Sequence, residues 1–163
     1  MVYNELMDQK KRTKELIKYL VSNMSVSTIT SLTKMLYLID LASVSSGKEK
    51  TTDFNYVRYY YGPYDKRIEE TLNDLIIYGE LIVNVRTSSN GEPYMIYKLP
   101  EGVTEYEYDD INSDIVDNLT QNLGHLSAKT LTDIAYKTKP MTSLGATLGG
   151  TQHLNDVLNL ESI

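Results

Sequence analysis

Residues 27–43, STITSLTKMLYLIDLAS, and residues 54–64, FNYVRYYYGPY, decide the fold of this chain. The first stretch is apolar on nearly every side, which predicts a helix buried at the centre of the molecule. The second stretch is aromatic and ends near a Gly-Pro pair, which predicts a short strand over 54–60. Because proline suits the first position of a helix, we expect the next helix over 64–78.

The regions around these two stretches complete an α+β pattern. A first helix is predicted over 4–22, where Asn4 can serve as its N-cap and apolar side chains recur on one face. Strands are predicted over 81–86 and 94–99, and residues 88–91 between them have the composition of a hairpin loop. Helices followed by a two-stranded hairpin predict a mostly helical α+β fold with a winged-helix-like core.

The last third of the chain is predicted to form a helical pair and a tail. Residues 101–110 are an acidic connector, and apolar periodicity predicts a helix over 111–123. Ser127 can cap a fifth helix, which should end at or before Lys139 because the next residue is proline. The glycine-rich stretch that follows is predicted to be a loop until a short docking turn at 154–158.

A chain of 163 residues fits one compact domain, and we predict one domain in three parts. Residues 1–100 would form the winged-helix-like core with its hairpin. Residues 101–144 would form a helical pair packed on that core, and residues 145–163 a carboxy-terminal tail.

Composition limits the class of protein. The chain has no cysteine, so disulfides and thiolate metal sites are excluded. The first eleven residues lack an apolar run, and the most apolar stretch, 35–42, is short and contains Asp40. Neither a signal peptide nor a membrane span is therefore expected, and we predict a soluble, cytoplasmic protein without a membrane partner.

The net charge of −6 argues against general nucleic-acid binding, because phosphate neutralisation supplies most non-specific affinity. The charge is unevenly distributed: residues 1–100 carry 13 Lys or Arg against 12 Asp or Glu, and residues 101–163 carry 3 against 10. The lysines of the first helix could therefore still contact DNA, although the helix over 64–78 is acidic. A winged-helix DNA-binding transcriptional regulator is the alternative function.

Sequence motifs for catalysis are missing. The two histidines, His125 and His153, lie beside a helix-ending glycine and in the glycine-rich tail, which leaves little material for a triad or a metal site. The chain has no glycine-rich dinucleotide loop, no phosphate-binding lysine loop and no nucleophile elbow. We therefore predict no enzyme activity, no catalytic residue, no metal and no cofactor.

Tyrosine is concentrated between residues 56 and 64, beside Arg58 and Arg67. Alternation along a strand turns part of these side chains toward the core. Tyrosine and arginine are enriched at binding hot spots, so the outward side chains could anchor a protein partner. The predicted partner-binding residues are Tyr59, Tyr61, Tyr64 and Arg67. Base stacking on single-stranded nucleic acid would use the same residues, with little positive charge to support it.

Several segments together resemble a known family. The order and spacing of LTKMLYLID at 32–40, Gly47-Lys48 and the tyrosines before Gly62-Pro63 resemble the Panacea domain, the SocA-like antitoxin domain. The stretches LSAKTL and YKTKP further along the chain are similar to the carboxy-terminal part of that domain. The resemblance covers about residues 10 to 142 of this chain.

The resemblance implies an antitoxin-like module that neutralises a toxin by direct contact, in some members by delivering it to a protease. A homodimer is a further possibility for this chain. The motif residues that match the family are Lys34, Tyr37, Asp40, Gly62 and Pro63. We expect Lys34, Tyr37 and Asp40 to be structural, with Asp40 paired either to Lys34 or to a nearby backbone donor, because an unpaired buried carboxylate is unfavourable.

Overall fold

The computed structural model describes residues 2–161, without the side chains of residues 2–4 and 6. Within this range the fold is α+β with helices predominating, as predicted, and its strands pair as two small antiparallel hairpins. Along the chain the elements are α1 (Val2–Asn23), α2 (Ile29–Ser45), β1 (Val57–Tyr59), β2 (Gly62–Tyr64), α3 (Arg67–Ile77), β3 (Ile82–Thr87), β4 (Pro93–Lys98), α4 (Ser113–Leu123), α5 (Ala128–Tyr136) and α6 (Lys139–Leu144).

No helix among the described residues is long and apolar enough to cross a membrane. The winged-helix description of the core stays a prediction. The predicted N-cap of α1, the side chain of Asn4, lies outside the described residues. The predicted apolar face of α1 is confirmed by these buried residues: Leu16, Ile17, Leu20 and Val21.

The central helix is α2, as the sequence predicts. Every residue from Ser31 to Asp40 is buried, and the helix packs against α1, α4 and α5. It begins two residues later than predicted because Thr28 and Ser31 form a reciprocal capping box. The Thr28 hydroxyl accepts the Ser31 N–H at 3.1 Å, and the Ser31 hydroxyl accepts the Thr28 N–H at 2.9 Å.

The prediction that Pro63 starts the third helix was wrong. Pro63 lies in β2, opposite Arg58 of β1 in the hairpin register. The helix α3 begins later because Asp65 provides its first turn: its carboxylate accepts the Arg67 N–H at 2.9 Å and its carbonyl accepts the Ile68 N–H at 3.0 Å. Asp65 thus accepts the first two N–H groups of the helix, which have no intrahelical acceptor.

The second hairpin, β3 with β4, is confirmed within one or two residues of the predicted ends, and Ile82 pairs with Lys98 at its base. The fifth helix ends at Tyr136, before Lys139 as predicted. The sequence pattern did not predict α6, which begins at Lys139 and has Pro140 in its first turn. Proline is tolerated there because the N–H groups of a first turn have no intrahelical acceptor.

Near the carboxyl end, where a docking turn was predicted, residues 156–158 are extended and pair with β1. Leu158 donates its N–H to the Tyr56 carbonyl at 2.9 Å, and Arg58 donates its N–H to the Asp156 carbonyl at 2.8 Å. Leu158 and Leu160 are buried in the common core. The tail thus covers one edge of the β1–β2 hairpin and leaves its loop exposed.

Replacing Leu158 by alanine should lower the free energy of unfolding by about 2 to 3 kcal/mol, because a buried leucine leaves a cavity when it is truncated. Urea unfolding measures this change. The matched control is Val157→Ala, since Val157 is the neighbouring residue and is exposed. Equal stabilities of the two variants would contradict the docked position of the tail.

Candidate functional site

A buried carboxylate fixes the segment that leads into β1. Asp40, near the carboxyl end of α2, is completely buried. Its Oδ1 accepts the backbone N–H groups of Thr51 and Thr52 at 2.8 and 3.1 Å. Its Oδ2 accepts the hydroxyls of Thr52 and Tyr56 at 2.5 and 2.8 Å. Of the two predicted kinds of partner, backbone donors are therefore found and Lys34 is not.

Burial raises the pKa of Asp40, whereas the hydrogen bonds from Thr52 and Tyr56 and the charge of Lys50 oppose that rise. Both carboxylate oxygens accept two hydrogen bonds each, so the group is well satisfied although it is away from water. These bonds join α2 to residues 51–56, and β1 follows immediately. The carboxylate thereby anchors the hairpin that carries the tyrosines.

The β1–β2 hairpin presents a continuous aromatic surface. Tyr60 and Tyr61 form its loop, and Tyr61 is 72% exposed. The rings of Tyr59 and Tyr64 stack across the hairpin, with centroids 5.1 Å apart and an interplanar angle of 25°. We call Tyr59, Tyr60, Tyr61 and Tyr64 the tyrosine surface. Tyr56 faces inward, as alternation along the strand requires.

The structure brings three of the four predicted partner-binding residues together, and it adds Tyr60 to them. The sequence analysis missed Tyr60 because strict alternation would turn every second residue of a strand inward. The signal available was the run Tyr59-Tyr60-Tyr61 directly before a glycine, which is typical of a loop. A role in partner binding stays a prediction for these side chains.

Arg67, the fourth predicted anchor, is the first residue of α3 and already has intramolecular partners. Its guanidinium forms ion pairs with Asp65 at 2.8 Å and with Asp53 at 3.6 Å. It also lies over the ring of Phe54, 5.9 Å from the centroid. These contacts support the first turn of α3, and an anchoring role for Arg67 stays a prediction.

Arg58 is buried within the molecule rather than displayed beside the tyrosines. Its guanidinium donates to the carbonyls of Thr147 and Gly150 at 2.9 and 2.8 Å and lies over the ring of Tyr136. The side chain therefore ties the carboxy-terminal tail to the hairpin. Sequence alone could not separate this arginine from Arg67, because their partners are distant along the chain.

The remaining motif residues lie directly beneath the tyrosine surface. Lys34 is 3% exposed, and its Nζ donates to the carbonyl of Pro63 at 3.1 Å. Gly62 has a φ of 104°, and a Cβ at this position would lie 3.4 Å from both Lys34 Cε and Tyr136 Cε2. The backbone angle favours glycine there, whereas a Cβ would make only ordinary van der Waals contacts.

Tyr37 links the central helix to the end of α5. It is fully buried, and its hydroxyl shares a hydrogen bond of 2.7 Å with the hydroxyl of Thr138. Burial raises the pKa of Tyr37 to about 12, which keeps the phenol protonated. Tyr37 therefore lies in the core, and a purely structural role for this motif residue stays a prediction.

The stability of the protein should depend on pH through Lys34. Burial lowers its pKa from 10.5 to about 8. Between these values the unfolded chain holds a proton that the folded chain has lost, so the free energy of unfolding rises with pH across this interval. In Lys34→Met this contribution is absent, and the stability difference between wild type and variant should change by on the order of 2 kcal/mol between pH 7 and 10. Urea unfolding at several pH values tests this, and parallel curves would show that the lysine has an ordinary pKa.

A second exposed apolar region adjoins the tyrosine surface at Tyr61. It is a groove of about 830 Å³ between the starts of α2 and α5, strand β4 and Leu148. The exposed side chains of Tyr94, Met95 and Leu148 line it. The groove could not be predicted from the sequence, because its walls come from segments that are distant along the chain. Together, the groove and the tyrosine surface form a large apolar area with polar hydroxyls, which is typical of protein interfaces.

The basic side chains of α1 are partly neutralised within the molecule. Lys18 pairs with Glu80 at 2.7 Å and with Glu15 at 3.2 Å, and Arg12 pairs with Glu49 at 3.7 Å. These ion pairs reduce the positive charge on α1 that would be available to contact DNA phosphates. The geometry therefore gives the DNA-binding alternative little support.

The described part of the chain contains no group of three or more His, Asp or Glu side chains that could hold a metal ion. His125 is exposed, and the Nδ1 of His153 lies 3.0 Å from Asp156 Oδ2 on the exposed tail. The predicted absence of a metal, a cofactor and a catalytic residue stays a prediction.

The fold and the site define a small, mostly helical α+β protein with an exposed aromatic hairpin anchored by a buried carboxylate. The chain belongs to the family described as antitoxin SocA-like, Panacea domain, which its sequence matches over residues 32–140. This match covers more than half of the chain and confirms the resemblance. Comparison with curated proteins and with solved structures gives no match.

Membership of this family supports an antitoxin role in general. It suggests a protein partner such as a toxin, and a regulatory role rather than an enzymatic one. The matched range includes α2, the β1–β2 hairpin and α5, and therefore every motif residue described above.

Proposed function

We propose that this protein is an antitoxin-like module that binds a toxic partner protein directly through the tyrosine surface and neutralises it. The observation that carries the proposal is the exposed run Tyr59 to Tyr61, at the end of β1 and in the hairpin loop, which follows a segment, residues 51–56, that the buried carboxylate of Asp40 holds in place. Large aromatic side chains with a polar hydroxyl are frequent binding hot spots. A preorganised loop loses little conformational entropy on binding, which favours affinity.

The adjoining groove supports the same proposal because it extends the contact area beyond the hairpin. A partner that covers both would meet Tyr61 near the centre of the interface, where hot-spot residues concentrate. Delivery of the bound partner to a protease is the finer form of the proposal, in which a second surface of this protein contacts the protease.

The test begins with affinity capture of the tagged protein from its native host, with and without nuclease. We expect one stoichiometric protein that survives nuclease treatment. Expression of that protein alone should arrest growth, and co-expression with this chain should restore it. Recovery of DNA alone, with strong salt dependence, would instead support the winged-helix regulator.

Variants test whether the captured protein binds to the tyrosine surface. The double variant Tyr59→Ala/Tyr61→Ala should lose both the captured protein and the rescue of growth. Tyr78→Ala is the matched control, because Tyr78 is 75% exposed but lies at the end of α3, outside the hairpin. Capture and rescue that persist in the double variant would remove the tyrosine surface from the interface.

A further inference from the structure

A small pocket opens between the start of α2 and the β1–β2 hairpin. Its volume is about 270 Å³, and its lining includes Thr30, Lys34, Tyr59, Tyr61, Tyr64 and Glu69. The tyrosine rings form its walls, and the buried lysine lies at its base next to Gly62. The pocket therefore combines apolar walls with one cationic group.

Within the part of the chain that the structure describes, the ammonium group of Lys34 has no counter-charge. Among the described residues it donates to the neutral carbonyl of Pro63, although an ammonium has three N–H donors. Among residues 2–161, no carboxylate lies within 4 Å of its Nζ. A buried charge without a partner is unfavourable, so an anion that entered the pocket would gain an ion pair at little additional desolvation of the protein.

Two further features of the pocket favour an anion. The first residues of α2, Ile29 and Thr30, line it, and the first N–H groups of a helix have no intrahelical acceptor and carry partial positive charge. Gly62 leaves the ammonium uncovered on one side, since a Cβ there would lie 3.7 Å from Lys34 Nζ. The helix start and the buried lysine are independent observations that point to the same kind of ligand.

We propose that this pocket binds a carboxylate of the partner protein, paired with Lys34 and enclosed by the rings of Tyr59 and Tyr61. This inference rests on the proposed function and adds the chemistry of the partner's anchor, an Asp or Glu side chain or a chain terminus. The size of the pocket suits one such group. Glu69 lies exposed at the rim, where its carboxylate is 3.4 Å from the Tyr64 hydroxyl and opposes the entry of an acidic group.

The first experiment uses small probes and needs no partner. Labelled protein is titrated with N-acetylglycine, which mimics a chain terminus, and with N-acetylaspartate N-methylamide, which mimics an acidic side chain. The neutral control is N-acetylglycinamide. We expect saturable shifts of the NMR signals of the Lys34 side chain with at least one carboxylate, with a Kd on the order of millimolar. The carboxylate that binds more tightly identifies which source the pocket prefers.

Two variants test whether carboxylate binding depends on the charges in and around the pocket. Lys34→Met should abolish saturable binding at the α2 and hairpin signals, and urea unfolding checks that this variant is folded. Glu69→Gln removes an exposed charge without touching the core and should tighten carboxylate binding about twofold to fivefold. Equal shifts with the neutral amide, no saturation up to tens of millimolar, or tighter binding of inorganic phosphate would each overturn the proposal.

The second experiment separates this inference from the proposed function. With the captured partner, Lys34→Met should weaken binding about thirtyfold or more, as expected when one member of a buried charge pair is removed. If Tyr61→Ala weakens binding and Lys34→Met does not, the proposed function stands and the carboxylate anchor is wrong. If no protein partner is found, the proposed function fails, and the probe titration alone decides whether the pocket binds carboxylates.

Discussion

Replacing Asp40 by asparagine should lower the free energy of unfolding by about 3 to 5 kcal/mol, the largest effect that we expect of a single substitution in this chain, because hydrogen bonds to a charged group are lost and a buried donor is left without an acceptor. The carboxylate accepts four hydrogen bonds in a completely buried position. An amide of the same shape has only one acceptor oxygen, and its NH2 group would face donors on the other side. At least one buried N–H or O–H would then lack an acceptor, and such groups are costly to leave unpaired.

Urea unfolding of wild type and variant measures this loss. The matched control is Asp74→Asn on the exposed side of α3, which makes the same chemical change outside the core. Equal stabilities of the two variants would contradict the role of Asp40 as an anchor. Hydrogen exchange adds a local test, because the amides of Thr51 and Thr52 should exchange much faster in the Asp40 variant.

Replacing Tyr61 by alanine should weaken partner binding by more than about 2 kcal/mol, or roughly 30-fold in Kd, while folding stays intact. Tyr61 is the most exposed residue of the tyrosine surface and borders both the pocket and the groove. Because little of its side chain is buried in the free protein, its truncation should change the free energy of unfolding by less than about 0.5 kcal/mol. The loss would therefore belong to binding.

Tyr78→Ala should leave affinity unchanged, since Tyr78 is equally exposed but lies outside the hairpin. Tyr61→Phe separates the contribution of the ring from that of the hydroxyl. Retained affinity would show that the ring, covered by the partner in the complex, provides the binding energy. A loss of affinity would show that a hydrogen bond from the hydroxyl provides it. If Tyr61→Ala binds the partner as tightly as wild type does, the interface lies elsewhere on the molecule.

Local patterns were sufficient for much of the fold. The all-round apolar sequence of residues 31–40 determined that α2 is the central helix, because such a helix is stable only when it is buried. Turn residues at 88–91 between two apolar runs determined the β3–β4 hairpin. The combination of the α2 motif with Gly62-Pro63 at the right distance was enough to identify the family.

Local sequence patterns predicted only part of the candidate site. The density of tyrosines marked the correct segment, yet it could not say which rings are exposed or that Arg67 already pairs with Asp53 and Asp65. Those outcomes depend on side chains that are adjacent in space and separate in sequence. The apolar groove beside Tyr61 was missed for the same reason.

By itself, the sequence determined the helical class of this protein, its central helix, its second hairpin and its family, since each follows from periodicity or spacing over neighbouring residues. Tertiary structure decided that Pro63 lies in a strand, that Asp40 binds the backbone of residues 51 and 52, and that buried Lys34 has no carboxylate partner among the residues described. The physical reason is that hydrogen-bond partners and burial are properties of the packed chain. A carboxylate or an ammonium group acquires its role from the groups that folding brings within about 3 Å of it.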